Sequence, residues 1–109
     1  MLTVPGNARL FFYQNPVSMH KSFEGLGMET ENCFPGELMT GAFFIFLNRS
    51  RNCMKVLFWD GDGFVIFYKR LEKGAFVWKW NDQKHLDRRT FLMLLEGVEP
   101  KRLNRRFSL

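Results

Sequence analysis

C-M-K-V-L-F-W at 53–59, D-G-D-G at 60–63 and F-V-I-F-Y-K-R-L at 64–71 follow one another without a break. Two apolar runs rich in aromatic and β-branched residues flank a double Asp-Gly, and glycine supplies the positive φ that a tight hairpin turn requires. This stretch therefore predicts two antiparallel strands. Upstream, G-A-F-F-I-F-L at 41–47 is almost uniformly apolar, the pattern of a strand covered on both faces. The polar N-R-S-R-N at 48–52 joins it to the hairpin as a turn. Downstream, E-K-G at 72–74 turns the chain into A-F-V-W-K-W at 75–80, where Phe76, Trp78 and Trp80 share one face by period two. The expected centre of the fold is a meander.

Further out, A-R-L-F-F-Y-Q at 8–14 reads as a strand ended by Asn15-Pro16, because proline disfavours helix in the residue before it. Ser18 is placed to cap a short helix carrying Met19, Phe23 and Leu26 on one face, weakened by Gly25 and Gly27. Residues 29–40, with Asn32, Pro35 and Gly36, read as a loop. Asp87 is placed to cap a second helix with Phe91, Leu92, Leu94 and Leu95 inward; Gly97 is placed to end it, and Pro100 blocks continuation. The predicted class is α+β: a small, mainly antiparallel meander sheet with a short N-terminal helix and a C-terminal helix packed on it. Residues 1–99 are expected to form one domain, and 100–109 a basic C-terminal tail that only Leu103 and Phe107 could anchor.

With 109 residues the chain has room for one domain, which excludes two-domain enzyme architectures. Aromatics make up 17% and include 13 Phe, a payload suited to a sheet-and-helix core. The longest uncharged apolar run, Gly41 to Leu47, is too short to cross a bilayer. Pro5, Asn7, Arg9, Gln14 and Asn15 interrupt any signal-peptide apolar region, and Cys33 and Cys53 form no C-x-x-C pair. A cytoplasmic protein with reduced thiols is expected.

The net charge of +5 is unevenly placed. Residues 22–48 carry Glu24, Glu29, Glu31 and Glu37 with no base, whereas the bases cluster at Arg49/Arg51/Lys55, Lys69/Arg70/Lys73, Arg88/Arg89 and Lys101/Arg102/Arg105/Arg106. Taken singly, each cluster is a solvated face; brought together on one surface they would attract a polyanion. Asp60 and Asp62 are carboxylates of the kind that hold divalent metals, but the strand that follows Gly63 leaves no room for the rest of a calcium loop. The turn reading is preferred and no metal is expected. His20 and His85 have no nucleophile in a recognised context, and Gly25 and Gly27 lack the Lys-Ser or Lys-Thr of a phosphate cradle. Neither an enzyme nor a cofactor is expected. Aromatics interleaved with bases, Phe67/Tyr68/Lys69/Arg70 and Phe76/Trp78/Lys79/Trp80, suit both a core and a nucleic-acid-binding sheet.

The block F-W-D-G-D-G-F-V-I-F-Y-K-R-L-E-K-G-A-F-V-W at 58–78 carries a specific likeness, with M-H-K-S-F-E-G-L at 19–26, G-A-F-F-I-F-L-N-R at 41–49 and M-L-L-E-G-V-E at 93–99. In order and spacing the chain resembles the accessory proteins of the insertion-sequence sixty-six family, called TnpB or Orf-two-like and distinct from the RNA-guided nuclease of the same name. The family-motif positions are Trp59, Asp60, Gly61, Asp62, Gly63, Phe67, Tyr68, Lys69, Arg70, Leu71, Glu72 and Gly74. His20 stands where the family usually has arginine, and Cys33-Phe34-Pro35-Gly36 replaces a longer, more helical stretch. The resemblance implies a protein of a bacterial mobile element, encoded beside a separate transposase and supporting transposition, with no known enzyme activity of its own.

The leading reading is thus a noncatalytic accessory factor that binds DNA, the transposase of the same element, or both. Its phosphate contacts are expected at Arg49, Arg51, Lys55, Lys69, Arg70, Lys73, Arg88 and Arg89, with Lys101, Arg102, Arg105 and Arg106 adding sequence-independent affinity. One alternative is a protein-interaction module that docks on the transposase without touching DNA. Another is a metal-dependent phosphoryl-transfer enzyme using Asp60 and Asp62. No membrane and no small-molecule substrate is expected as partner.

Overall fold

The Asp-Gly-Asp-Gly turn closes as its composition requires. Asp60 Oδ1 accepts the N–H groups of Asp62 at 3.3 Å and Gly63 at 3.2 Å, the Asp60 N–H donates to Gly63 O at 3.0 Å, and Gly61 takes φ 111°. In the computed structural model, which describes residues 2–78 and 84–96, the elements in order are β1 (Leu10–Phe12), α1 (Phe23–Cys33), β2 (Phe43–Leu47), β3 (Cys53–Trp59), β4 (Phe64–Arg70), β5 (His85–Leu86) and α2 (Arg88–Leu95). They build one five-stranded sheet in the order β4-β3-β2-β1-β5.

The α+β class is as the sequence predicts, and the meander holds for β2, β3 and β4, with Phe44 opposite Leu57 and Leu57 opposite Ile66. Beyond β2 the sheet changes character. β1 lies parallel to β2, with Leu10 opposite Phe43, so the chain crosses over through α1 before it returns to the sheet. The short β5, unmarked in the sequence, pairs antiparallel with the outer side of β1.

Alternation sorts the side chains into two cores. Leu10, Phe12, Phe43, Ile45, Leu47, Met54 and Val56 point to one face, where Phe91, Leu94 and Leu95 of α2 cover them together with Phe76. Phe11, Tyr13, Phe44, Phe46 and Leu57 point to the other, under Leu26 of α1 and Phe34 just beyond it. With a helix on each face, β2 must be apolar throughout, and every one of its five residues is buried.

Three expectations are corrected. Residues 75–78 are not a fourth meander strand: after Gly74 (φ 75°) the chain leaves the plane of the sheet, Phe76 N–H donates to Arg51 O at 2.6 Å, and the Phe76 ring is buried on the α2 face. Burial of that ring beneath the helix outweighs edge pairing; Lys79 and Trp80 lie outside the described residues. The first helix begins at Phe23, not at Ser18, whose hydroxyl instead accepts the His20 N–H in a turn. It then continues through Cys33 into the segment read as a loop. Glutamate is a fair helix former, and buried Leu26, Thr30 and Phe34 tie this helix to the sheet, so tertiary burial overrides the loop-like composition.

α2 starts where the sequence places it, with Asp87 Oδ1 accepting Thr90 N–H at 2.6 Å; Gly97 and Pro100 lie outside the described residues. Bonds from Thr90 hold the Asp87 carboxyl below the usual range, with Arg89 adding to the effect. Its contribution to stability is therefore full above the ordinary aspartate pKa and is lost as pH falls through the depressed folded value. Asp87→Ala is expected to lower the melting temperature at pH 7 and to lose less stability than the parent on acidification; equal acid sensitivity in the two proteins would refute the capping role.

Candidate nucleic-acid interface

The antiparallel register gives the sheet two chemically different ends. Cys53 pairs with Arg70, Leu71 N–H donates to Asn52 O at 2.8 Å and Phe76 N–H donates to Arg51 O, so the 48–52 turn and the chain leaving β4 meet at one end. That end carries Arg49, Arg51, Arg70 and Lys73. The other end carries the Asp60–Gly63 turn. The basic end also receives residues 16–20, because Val17 N–H donates to Leu47 O at 3.0 Å. Between this segment and the 48–50 turn opens a cleft of about 420 Å³ whose polar lining includes Ser18, His20, Asn48, Arg49 and Ser50. The turn is rigidly built: Asn48 Nδ2 donates to Asn52 Oδ1 at 2.7 Å, Cys53 N–H donates to Asn48 Oδ1 at 3.1 Å, and Arg51 sits at φ 59°.

The predicted cations divide by what their charged groups touch. Arg49, Arg70 and Lys73 are exposed at the basic end. Arg51 belongs to the same end, but its Nη1 donates to Trp78 O at 2.5 Å, so it also fastens the 75–78 segment. Arg88 and Arg89 are exposed at the start of α2, beside β5 and thus at the opposite edge of the sheet from β4. Lys101, Arg102, Arg105 and Arg106 lie outside the described residues. Lys69 turns to the α2 face, where its Nζ donates to Leu95 O at 2.7 Å and satisfies a carbonyl of the last helical turn.

Lys55 does not stand on the surface with the other bases. It is 7% exposed, and its Nζ donates to Met19 O at 2.8 Å and Lys21 O at 2.7 Å, with the Tyr68 ring 5.0 Å away. It braces the 19–21 turn against β3. Beside it, Tyr13 OH donates to Glu29, which also pairs with Lys21 at 3.4 Å; burial first, and then Glu29, push the Tyr13 phenol up to about 12. Lys55→Met should cost about 2 kcal/mol in urea denaturation, because two inward carbonyls lose a charged donor. It should leave the salt dependence of DNA binding unchanged, and a flatter slope would return Lys55 to the phosphate-contacting set.

Residues 8–105 match the family described as "IS66 Orf2 like protein". The chain belongs to this family. The IS66 Orf2-like proteins are associated with insertion sequences. Two relatives from Sinorhizobium fredii are y4hO, 32% identical over 78 residues (72% of this chain, 68% of that protein), and y4jC, 23% identical over 100 residues (90% and 86%). No solved structure matches the chain. Among the described residues no helix is long and apolar enough to cross a membrane.

In this IS66 Orf2-like protein residues 59–74, the block expected from sequence to carry the family motif, serve largely as architecture. Trp59 meets Phe64 edge-on at 4.9 Å across the turn, and Gly61 and Gly74 supply positive φ. Phe67 and Leu71 pack against the α2-side core, while Tyr68 is half exposed and Glu72 exposed. The closeness of the Asp60 and Asp62 carboxyls lowers the pKa of the first, which also accepts the Asp62 and Gly63 N–H groups, and raises that of the second. Among the described residues no group of three His, Cys, Asp or Glu side chains could hold a metal ion. The residues that sequence reasoning passed over are Ser18, His20 and Ser50 in the basic cleft. The available signal was His20, a polar side chain two residues after Ser18 in the segment that leads to α1.

Proposed function

We propose that this IS66 Orf2-like protein is a noncatalytic accessory factor that binds DNA of its insertion sequence through the basic end of the sheet, supporting transposition by a separate transposase in the bacterial cytoplasm. The observation that carries this reading is the meeting of Arg49 and Arg51 with Arg70 and Lys73, about 20 residues later in the chain, across the paired ends of β3 and β4. These cations sit on backbone held by strand pairing and turn hydrogen bonds, so their charges are presented together with little ordering cost. The cleft beside them offers Ser18, Ser50 and His20 as further donors to phosphate oxygen. The proposal extends to the tail bases as added sequence-independent affinity, and leaves Arg88 and Arg89 outside the main contact.

Binding to a fluorescent duplex of about 30 base pairs tests the reading. Four phosphate contacts give a slope of log K against log salt near −3.6, hence a roughly hundred-fold loss of affinity between 50 and 200 mM salt. An affinity insensitive to salt, or none at 50 mM, would refute it. A protein-interaction reading has its own support in the acidic, apolar surface over α1. Pull-down of the transposase from nuclease-treated lysate distinguishes them: recovery without nucleic acid favours direct protein contact, and loss favours DNA bridging.

A further inference from the structure

The face opposite in character to the DNA-binding end lies over α1. Residues 22–48 carry four glutamates and no base. Glu37 is paired with Arg9 and Glu29 with Lys21, whereas among the described residues neither Glu24 nor Glu31 has an ion pair. These two carboxylates border a shallow groove of about 550 Å³ whose apolar lining is Phe23, Met28, Leu38 and Phe64. Phe23 is 48% and Met28 67% exposed, unusual values for large apolar side chains on one short helix. The helix presents Gly27 to the groove, which keeps it open along the side chain of Leu38, 3.8 Å from where a Cβ would stand.

The geometry points to a docking site for a basic amphipathic helix of a partner protein, with its apolar stripe on Phe23, Met28, Leu38 and Phe64 and its cations on Glu24 and Glu31. The two carboxylates are seven residues apart, which is two helical turns and about 10 Å along the axis of α1. A helix lying alongside presents cations at i and i+7 with the same spacing, and apolar side chains at i+3 and i+4 between them, which is the helix-in-groove mode of recognition. An anionic membrane is excluded as occupant by the sign of the rim. A second copy of this chain does not supply such a helix from α2, whose apolar residues Phe91, Leu94 and Leu95 are already buried in its own core.

This inference does not depend on the DNA reading, and its readout is separate. The probe is a fluorescein-labelled peptide of about 14 residues with Lys or Arg at i and i+7, Leu and Phe at i+3 and i+4 between them, and polar helix formers elsewhere, titrated against the full chain. Saturable one-to-one binding is expected, with amide shifts at Gly27, Met28 and Phe64. Glu24→Gln with Glu31→Gln should weaken it about threefold to tenfold. Phe23→Ala with Met28→Ala should weaken it about tenfold or more. Glu24, Met28 and Glu31 are exposed, Phe23 is half exposed, and Gln at position 31 keeps an acceptor for the Gly36 N–H that Glu31 Oε1 receives at 2.9 Å, so both variants keep the fold, and both should bind the DNA duplex at least as well as the parent. Absence of binding, binding unaffected by either double variant, or self-association through the α1 face that excludes the peptide would overturn the proposal.

Discussion

Replacing Arg49, Arg70 and Lys73 together by alanine should reduce the slope of log K against log salt for duplex DNA by about 2.7, because each phosphate contact in B-DNA contributes about 0.9 to that slope. The three side chains are exposed and their charged groups make no ion pair among the described residues, so the loss reports phosphate contact and not unfolding. Arg51 is left in place in this variant. Its guanidinium holds Trp78 O and its carbonyl receives Phe76 N–H, and removing it would mix a folding defect with a binding defect. Arg88→Ala with Arg89→Ala, at the far edge of the sheet, serves as the control and should change the slope by less than about half a contact each. If the triple variant binds with the parent's slope, the basic end is not the DNA surface. If the control pair produces the larger change, the interface lies along α2.

The largest expected stability effect is at Phe44. Its ring is fully buried, stacked on Phe11 at 5.5 Å and tilted against Phe34 at 5.8 Å, and its neighbours across the sheet are Leu57 on one side and Phe11 on the other. It therefore joins the crossover strand, the central strand and the segment after α1 in one cluster. Phe44→Ala should destabilise the protein by about 3–5 kcal/mol, read as a lower urea midpoint with an unchanged slope. Phe23→Ala, whose ring is half exposed on α1, should cost far less. Similar losses at the two positions would mean that the α1-side core is not packed as described.

Much of the site's scaffold was legible in the residues. The double Asp-Gly at 60–63 can close only one kind of turn, and the unbroken apolar run at 43–47 can lie only in the middle of a covered sheet. The charge map was legible as well, since the acidic stretch 22–48 and the basic stretches after it are countable. The orientation of individual charges was not. Lys55 and Lys69 look like Arg49 and Arg70 in a sequence, yet strand alternation turns Lys55 beneath the 19–21 turn and Lys69 toward α2, where backbone carbonyls take their protons. Likewise 29–33 carries the polarity of a loop, and only burial of Leu26, Thr30 and Phe34 makes it helix.

Local chemistry by itself determined the hairpin β3–β4, the buried strand β2, the cap of α2 and the α+β class, because turn geometry, side-chain period and capping act within a few residues. Tertiary structure alone decided that β1 enters parallel to β2, that 75–78 leaves the sheet, and which cations share an end with His20 while an acidic groove forms over α1. Those outcomes depend on pairing and burial between segments tens of residues apart, and the energy of such contacts belongs to the pair and is written in neither segment alone.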